Sequence, residues 1–269
     1  MNKLNLISIF LIIILSSCQN REVEYYENGK IKKSYEQKDN KFNGQYKEFY
    51  ENGNIKLIHI YENGILKDSS VFYNEGETIH QITHYLKKDT TYVKIFQNEK
   101  LSSEGKYFQN MKIDKWKYYD KHEKLEKVFE YITICGKHYS NQGWYFTSEG
   151  DTLIDKGNFI KYTNLKRNLK PKEILHFQML YKSILPENSK SFVCLSSKIQ
   201  DNFCNINEVK LDTIHPQNNS FDVLVSFSKK GNKNLRGFIT EYQIEGYISK
   251  DSFRYAERKV YFDIPLLVE

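Results

Sequence analysis

A short aromatic-led turn returns six times along the first part of this chain, and that return limits what it can fold into. The copies are Tyr26-Glu27-Asn28-Gly29, Tyr50-Glu51-Asn52-Gly53, Tyr73-Asn74-Glu75-Gly76, Phe96-Gln97-Asn98-Glu99, Tyr119-Asp120-Lys121-His122 and Phe146-Thr147-Ser148-Glu149-Gly150, their leaders 24, 23, 23, 23 and 27 residues apart. Self-similarity at a fixed period is the mark of a repeat architecture, in which one small unit buries its apolar face only by stacking on the next. After each turn comes an aliphatic residue: Ile31, Ile55, Ile79, Leu101, Leu125 and Leu153. In five of the six an aromatic follows six positions on, at Tyr61, Tyr85, Tyr107, Tyr131 and Phe159; in the first unit Tyr35 follows after four. Strand side chains alternate faces, so an even offset predicts that the aliphatic and the aromatic share one face. Asn-Gly between apolar runs predicts type I′ hairpins, with Gly29, Gly53, Gly64 and Gly76 supplying positive φ. The turns at Glu99 and His122 have lost the glycine and are expected to be longer or bulged. The expected fold is all-β: an open antiparallel sheet of tandem β-hairpin repeats over residues 25–162, then a smaller, immunoglobulin-like β-sandwich over 171–269. A polar and basic linker at 163–170 is expected between them, and a tether at 18–24 ahead of the repeats.

The segments Gly44-Gln45-Tyr46-Lys47-Glu48-Phe49-Tyr50-Glu51-Asn52-Gly53 and Gly105-Lys106-Tyr107, leading to Asp114-Lys115-Trp116-Lys117-Tyr118-Tyr119, resemble the variant MORN repeat of bacterial proteins. The resemblance implies an open β-hairpin array with scaffolding, lipid or protein contacts, and in some members an antitoxin label. It carries over no catalytic residue.

The first 17 residues read as an export signal: Lys3 gives a positive start and Leu4 to Leu15 a mostly apolar core of the right length. That core is shorter than the roughly 20 residues that span a bilayer. Leu15-Ser16-Ser17-Cys18 resembles the bacterial lipoprotein box, which implies cleavage before Cys18 and acylation of Cys18, palmitate among the acyl groups. Two or more acyl chains anchor a protein far better than one. Gln19, in place of an inner-membrane retention aspartate, points to the outer membrane of the cell envelope.

Mean hydropathy is low at −0.66, yet aromatics make up 15% of the chain, which excludes a disordered polymer. The net charge of +6 is spread among interleaved Lys and Glu, the pattern of a solvated face. Export argues against nucleic acid as a partner. Beyond Cys18 there are Cys135, Cys194 and Cys204; Cys194 and Cys204 flank a loop-like stretch and are a candidate disulfide, with Cys135 then a packed thiol.

The second half changes rhythm near Tyr162. Apolar runs at 174–184, 192–196, 209–214, 221–227, 235–244 and 259–268, separated by turn signals, predict a sandwich. Pro171 could instead open a helix.

No phosphate loop, dinucleotide fingerprint, zinc spacing or nucleophile elbow occurs, so no catalytic residue, cofactor or metal is expected. His80 and His84, four apart, lie too far from each other along a strand to share an ion. One stretch interleaves basic and aromatic groups: Lys115, Trp116, Lys117 and Tyr118, with Trp144 nearby in the next unit. These are the candidate binding surface, against the alternative that strand packing alone explains them. The expectation is a non-enzymatic binding or scaffold module on the membrane surface, with a protein or glycan partner. The rival readings are an antitoxin or immunity protein and a carbohydrate-processing enzyme.

Overall fold

The computed structural model describes residues 20–87, 89–182, 185, 189–217, 220–249 and 252–269. The expected leader and Cys18 lie outside the described residues. The described residues are all-β. Among them eleven strands, β1 to β11, follow sequence order in one open antiparallel sheet, and eight more form two smaller sheets. They fall into two compact units that divide between Ile79 and His80.

The first unit holds β1 (Asn20–Tyr25), β2 (Ile31–Lys38), β3 (Lys41–Phe49), β4 (Ile55–Glu62) and β5 (Ile65–Tyr73). Residues 20–24 are therefore strand and not tether, paired along β2 from Asn20↔Gln37 to Glu24↔Lys33. The Asn-Gly turns divide into two kinds. At Asn63-Gly64 both residues take positive φ, 53° and 83°, as a two-residue type I′ hairpin requires. At Gly29 and Gly53 only the glycine does, with φ 81° and 97°. Their N–H groups bond back to the carbonyls of Tyr26 and Tyr50 at 2.9 Å, which makes each a β-turn closed by a left-handed residue. Gly76 is not left-handed; Glu77 takes that place with φ 64°.

The asparagines have another task, which explains why they recur. Asn52 Oδ1 accepts the Asn54 N–H at 2.9 Å, and its Nδ2 donates to the Glu75 carbonyl of the next repeat at 3.3 Å. Asn28 does the same with Lys30 and Glu51. The leading tyrosines are ties as well: Tyr26 OH donates to Phe49 O at 2.6 Å and Tyr50 OH to Tyr73 O at 2.7 Å, each reaching 23 residues ahead. Tyr50→Phe keeps the ring and removes this tie, leaving a half-buried carbonyl without its donor. It is expected to lower stability by about 0.5–1.5 kcal/mol in urea unfolding, with the fold intact.

The shared stripe of rings is present. In the first unit Tyr35 meets Phe42 at 5.2 Å, Phe42 meets Tyr46 at 5.4 Å and Tyr61 at 5.1 Å, and His59 lies 5.8 Å from Tyr46 and 6.0 Å from Phe72. The aliphatic half of the expectation fails, because each returning strand carries a β-bulge just after its aliphatic residue. Tyr25 pairs with Ile31 but Glu24 with Lys33, and Phe49 pairs with Ile55 but Glu48 with Leu57. The inserted residues, Lys32 and Lys56, break the two-residue alternation, so an even offset no longer means a common face.

Burial among these rings, in contact with the Ser70 hydroxyl, holds His59 below its ordinary pKa, with Glu48 opposing weakly. Because the folded value is depressed, the neutral ring's contribution is complete above the unfolded value near 6.5 and is lost as pH falls through the folded value. The urea midpoint is therefore expected to drop between about pH 7 and pH 5, and His59→Gln to flatten that drop.

The second unit contains β6 (Ile79–Tyr85, from His80 on), β7 (Thr90–Gln97), β8 (Lys100–Phe108), β9 (Met111–Tyr119), β10 (Leu125–Ile134) and β11 (Lys137–Tyr145). The same bulge recurs at Ser102, between Phe96↔Leu101 and Ile95↔Ser103, and at Glu126, between Leu125↔Tyr119 and Lys127↔Tyr118. The turn at Asn98-Glu99 is tighter than expected, a two-residue turn with φ 51° and 64°. Near His122 the five-residue form persists: the Asp120 carboxylate accepts the N–H groups of His122 and Lys124 at 2.8 and 2.9 Å, and Glu123 is left-handed at φ 60°.

Next come β12 (Ile160–Thr163), β13 (Asn168–Leu169), β14 (Ile174–Tyr181), β15 (Lys190–Ser196), β16 (Asp212–Ile214), β17 (Ser220–Ser226), β18 (Gly231–Ser249) and β19 (Ser252–Val268). Residues 163–170 are thus no free linker: Thr163 ends β12, and Leu169, 3% exposed, sits in β13 beside the last strand. Pro171 opens no helix, since Ile174–Tyr181 alternates exposed and buried along a strand. One sheet is ordered β12-β14-β17, the other β13-β19-β18-β15-β16. Phe177, Met179, Phe221 and Val223 of the first sheet join Val193, Leu235, Ile239, Val260 and Phe262 of the second in one core. With β12 and β13 taken as one split first strand, the orders first-second-fifth and first-seventh-sixth-third-fourth are those of an immunoglobulin-like sandwich.

Repeat strand and sandwich are joined through the free edge of β19. Asn141 on β11 accepts the Tyr261 N–H at 2.8 Å and donates to the Tyr261 carbonyl at 2.9 Å, as a strand neighbour would. Its second amide hydrogen goes to Glu130 at 2.7 Å, and Tyr139 OH covers Lys259 O at 2.6 Å. An exposed edge is a template for unwanted pairing, and these side chains close it. The disulfide reinforces the joint and corrects the expected pairing. Cys135, at the β10–β11 turn, is bonded to Cys204, with Cα atoms 4.9 Å apart. Cys194 is instead a buried free thiol. It lies on the opposite strand face from its neighbours in the core, packed with Phe203, Phe238 and Tyr261.

Candidate functional site

Alternation along β9 divides the expected binding surface between two faces. Trp116 pairs with Phe129, whereas Lys117 pairs with Val128, which in turn pairs with Trp144. Directly paired residues share a face, so Trp116 and Tyr118 lie on one side of the sheet and Lys115, Lys117 and Trp144 on the other.

The first side is packing. Trp116 is fully buried, 0% exposed. Its indole N–H donates to Lys106 O at 2.9 Å, and Tyr107 lies 4.9 Å away. Its ring rests on the bare Cα of Gly105, where any Cβ would come within 2.5 Å of it. Tyr118 OH meets Tyr131 OH at 3.1 Å and receives the Lys112 ammonium at 2.9 Å. Burial raises the Tyr118 pKa, and it carries Tyr131 up to about 12.

The second side keeps polar groups within reach of solvent. Glu104 is buried but accepts Tyr119 OH at 2.6 Å and stands 3.5 Å from Lys117 Nζ. Burial would raise its pKa; the donors Tyr119, Tyr92 and Lys117 outweigh that and hold it below the usual range. Lys117, its side chain half exposed, reaches this carboxylate from the surface. Lys115 and Trp144 do come together: the ammonium lies 4.4 Å from the ring centroid, a cation–π contact. Trp144 also stacks on Phe159, centroids 5.7 Å apart at 26°.

Phe159 leads to a feature that no motif announced. A cleft of about 910 Å³ opens at the end of the sandwich, between Lys161, Leu180 and Tyr181 of one sheet and Lys190, Phe192 and Tyr242 of the other. Register places Lys161 opposite Leu180 and Lys190 opposite Tyr242. Lys182, the residue after β14, lies at the rim, where it pairs with Asp155 at 2.5 Å. Among its described lining residues there is no carboxylate or carboxamide. These groups are scattered from Ile154 to Tyr242, so nothing in local spacing could have gathered them. The only sequence hint is the shared mix of lysine and aromatic residues.

Elsewhere, His80 lies at the start of β6 with His84 further along it, and among the described residues no three His, Cys, Asp or Glu side chains stand together as a metal site. No protein-family model matches the chain, and no curated protein is significantly similar to it.

Proposed function

We propose that the chain is a MORN-variant lipoprotein of the cell envelope, held at the membrane by Cys18 and acting there as a non-enzymatic binding or scaffold module. The observation that carries this reading is how the repeat's recurring side chains are used. The leading tyrosines and turn asparagines bond one repeat to the next at a separation of 23 residues. Residues that tie copies together stiffen a surface; they leave little for acid–base chemistry. Stability in such arrays is a sum of unit and neighbour terms, which suits an extended presenting surface.

Palmitate labelling in the native host tests the anchor; the label is expected on the parent and lost in Cys18→Ser. Pull-down of the lipidated protein from its own membranes, with mass spectrometry, is expected to return a specific protein or glycan partner. A toxin among the captured proteins would favour the immunity reading instead. Turnover of a hydrolase or transferase substrate, abolished by one side-chain change, would end the binding reading.

A further inference from the structure

We infer that the cleft at the end of the sandwich binds an amphipathic organic anion, a carboxylate head on an apolar chain. The inference deepens the reading of the chain as a binding module and rests on it, but not on the lipid anchor.

Charge is the first argument. The described lining carries Lys161, Lys182 and Lys190, with Asp155 engaging Lys182 at the rim. Several cations around a low-dielectric hollow raise the local concentration of anions and focus the field into it.

Shape and chemistry are the second. Between those cations the walls are apolar: half-buried Phe159, Phe192 and Tyr242, with Leu180 beside them. Phe192 and Tyr242 also line a second groove of about 530 Å³, shared with Cys194, Phe238, Ile244 and Tyr255 and edged by Glu257 and Lys259. A volume of about 300–1,000 Å³ is the size of ordinary small-molecule sites.

A carboxylate with an alkyl chain asks for cations at one end and apolar surface along the rest, and Lys161 and Lys190 beside Phe159, Leu180 and Phe192 supply both.

The test uses the full chain carrying Cys18→Ser, so that no acyl group of its own competes, and three probes of equal chain length: dodecanoate, dodecanol and dodecyltrimethylammonium. Calorimetry is expected to show one dodecanoate per chain, bound about ten-fold more tightly than the alcohol, with the cation weaker still. The double variant Lys161→Ser/Lys190→Ser changes two exposed side chains and is expected to melt as the parent while losing the preference for the carboxylate. Equal affinity for all three head groups, or no saturable binding of any, overturns the inference. If binding is absent while the membrane pull-down still returns its partner, this inference alone falls; if dodecanoate is chemically turned over, the binding reading falls with it.

Discussion

Trp116→Ala should cost the second unit about 3–5 kcal/mol, the range for emptying a fully buried large aromatic site. The site cannot collapse easily. Below the ring is the backbone of Gly105, and beside it are Tyr107 and the Lys112 ammonium, 4.3 Å from the ring centroid. The substitution also removes the donor to Lys106 O. Urea unfolding followed by circular dichroism measures the loss, and fluorescence of Trp144, the other tryptophan of the chain, reports whether the opposite face stays in place. Gly105→Ala tests the same contact from below, because its methyl would sit 2.5 Å from the indole. If the two residues fit as described, Gly105→Ala should be far less damaging in the Trp116→Ala background, a coupling of roughly 0.5–3 kcal/mol. Additive losses, or a Trp116→Ala effect under about 1 kcal/mol, would mean that Trp116 is not core and would restore it as a contact residue.

The second large effect is expected at the disulfide. Cys135 and Cys204 are 69 residues apart, and a cross-link closing a loop of that size restricts the unfolded chain by about 4 kcal/mol. It also holds the β10–β11 turn against the 197–211 segment, whose Asn202 carbonyl accepts the Cys135 N–H at 3.0 Å. Cys135→Ser should therefore lower the urea midpoint strongly, and reduction of the parent should lower it as much. Reduction should have no further effect on the variant. Peptide mapping of the oxidised protein should return Cys135 joined to Cys204, with Cys194 alkylated only after unfolding. A Cys194–Cys204 peptide would contradict the structure and return to the pairing suggested by their nearness in sequence.

That mistaken pairing shows where sequence reasoning stopped. Cys194 and Cys204 are near in the chain, but Cys194 belongs to a strand paired along Phe238 and Thr213, which fixes its direction. Cys135 reaches Cys204 because the last repeat hairpin meets the sandwich, a contact with no local signal. The turns were half legible for a similar reason. Asn-Gly marks the right places, yet only Asn63-Gly64 uses both residues for positive φ. Asn28 and Asn52 are selected by the carbonyl of the following repeat, which exists only once the copies stack. The candidate binding stretch divides because consecutive strand residues face opposite sides: Trp116 and Tyr118 pack on one, while Lys115 meets Trp144 on the other.

Period, turn chemistry and aromatic content were enough to dictate an all-β chain of tandem hairpins ending in a second β unit, because each depends on interactions within a few residues or on a spacing that repeats. The bulges after Ile31 and Ile55, the edge of β19 closed by Asn141, the Cys135–Cys204 bond and the lysine-rimmed cleft were decided by the assembled sheets. In each of these the partners are brought together by register and by packing across strands, and neither is encoded at any single position of the chain.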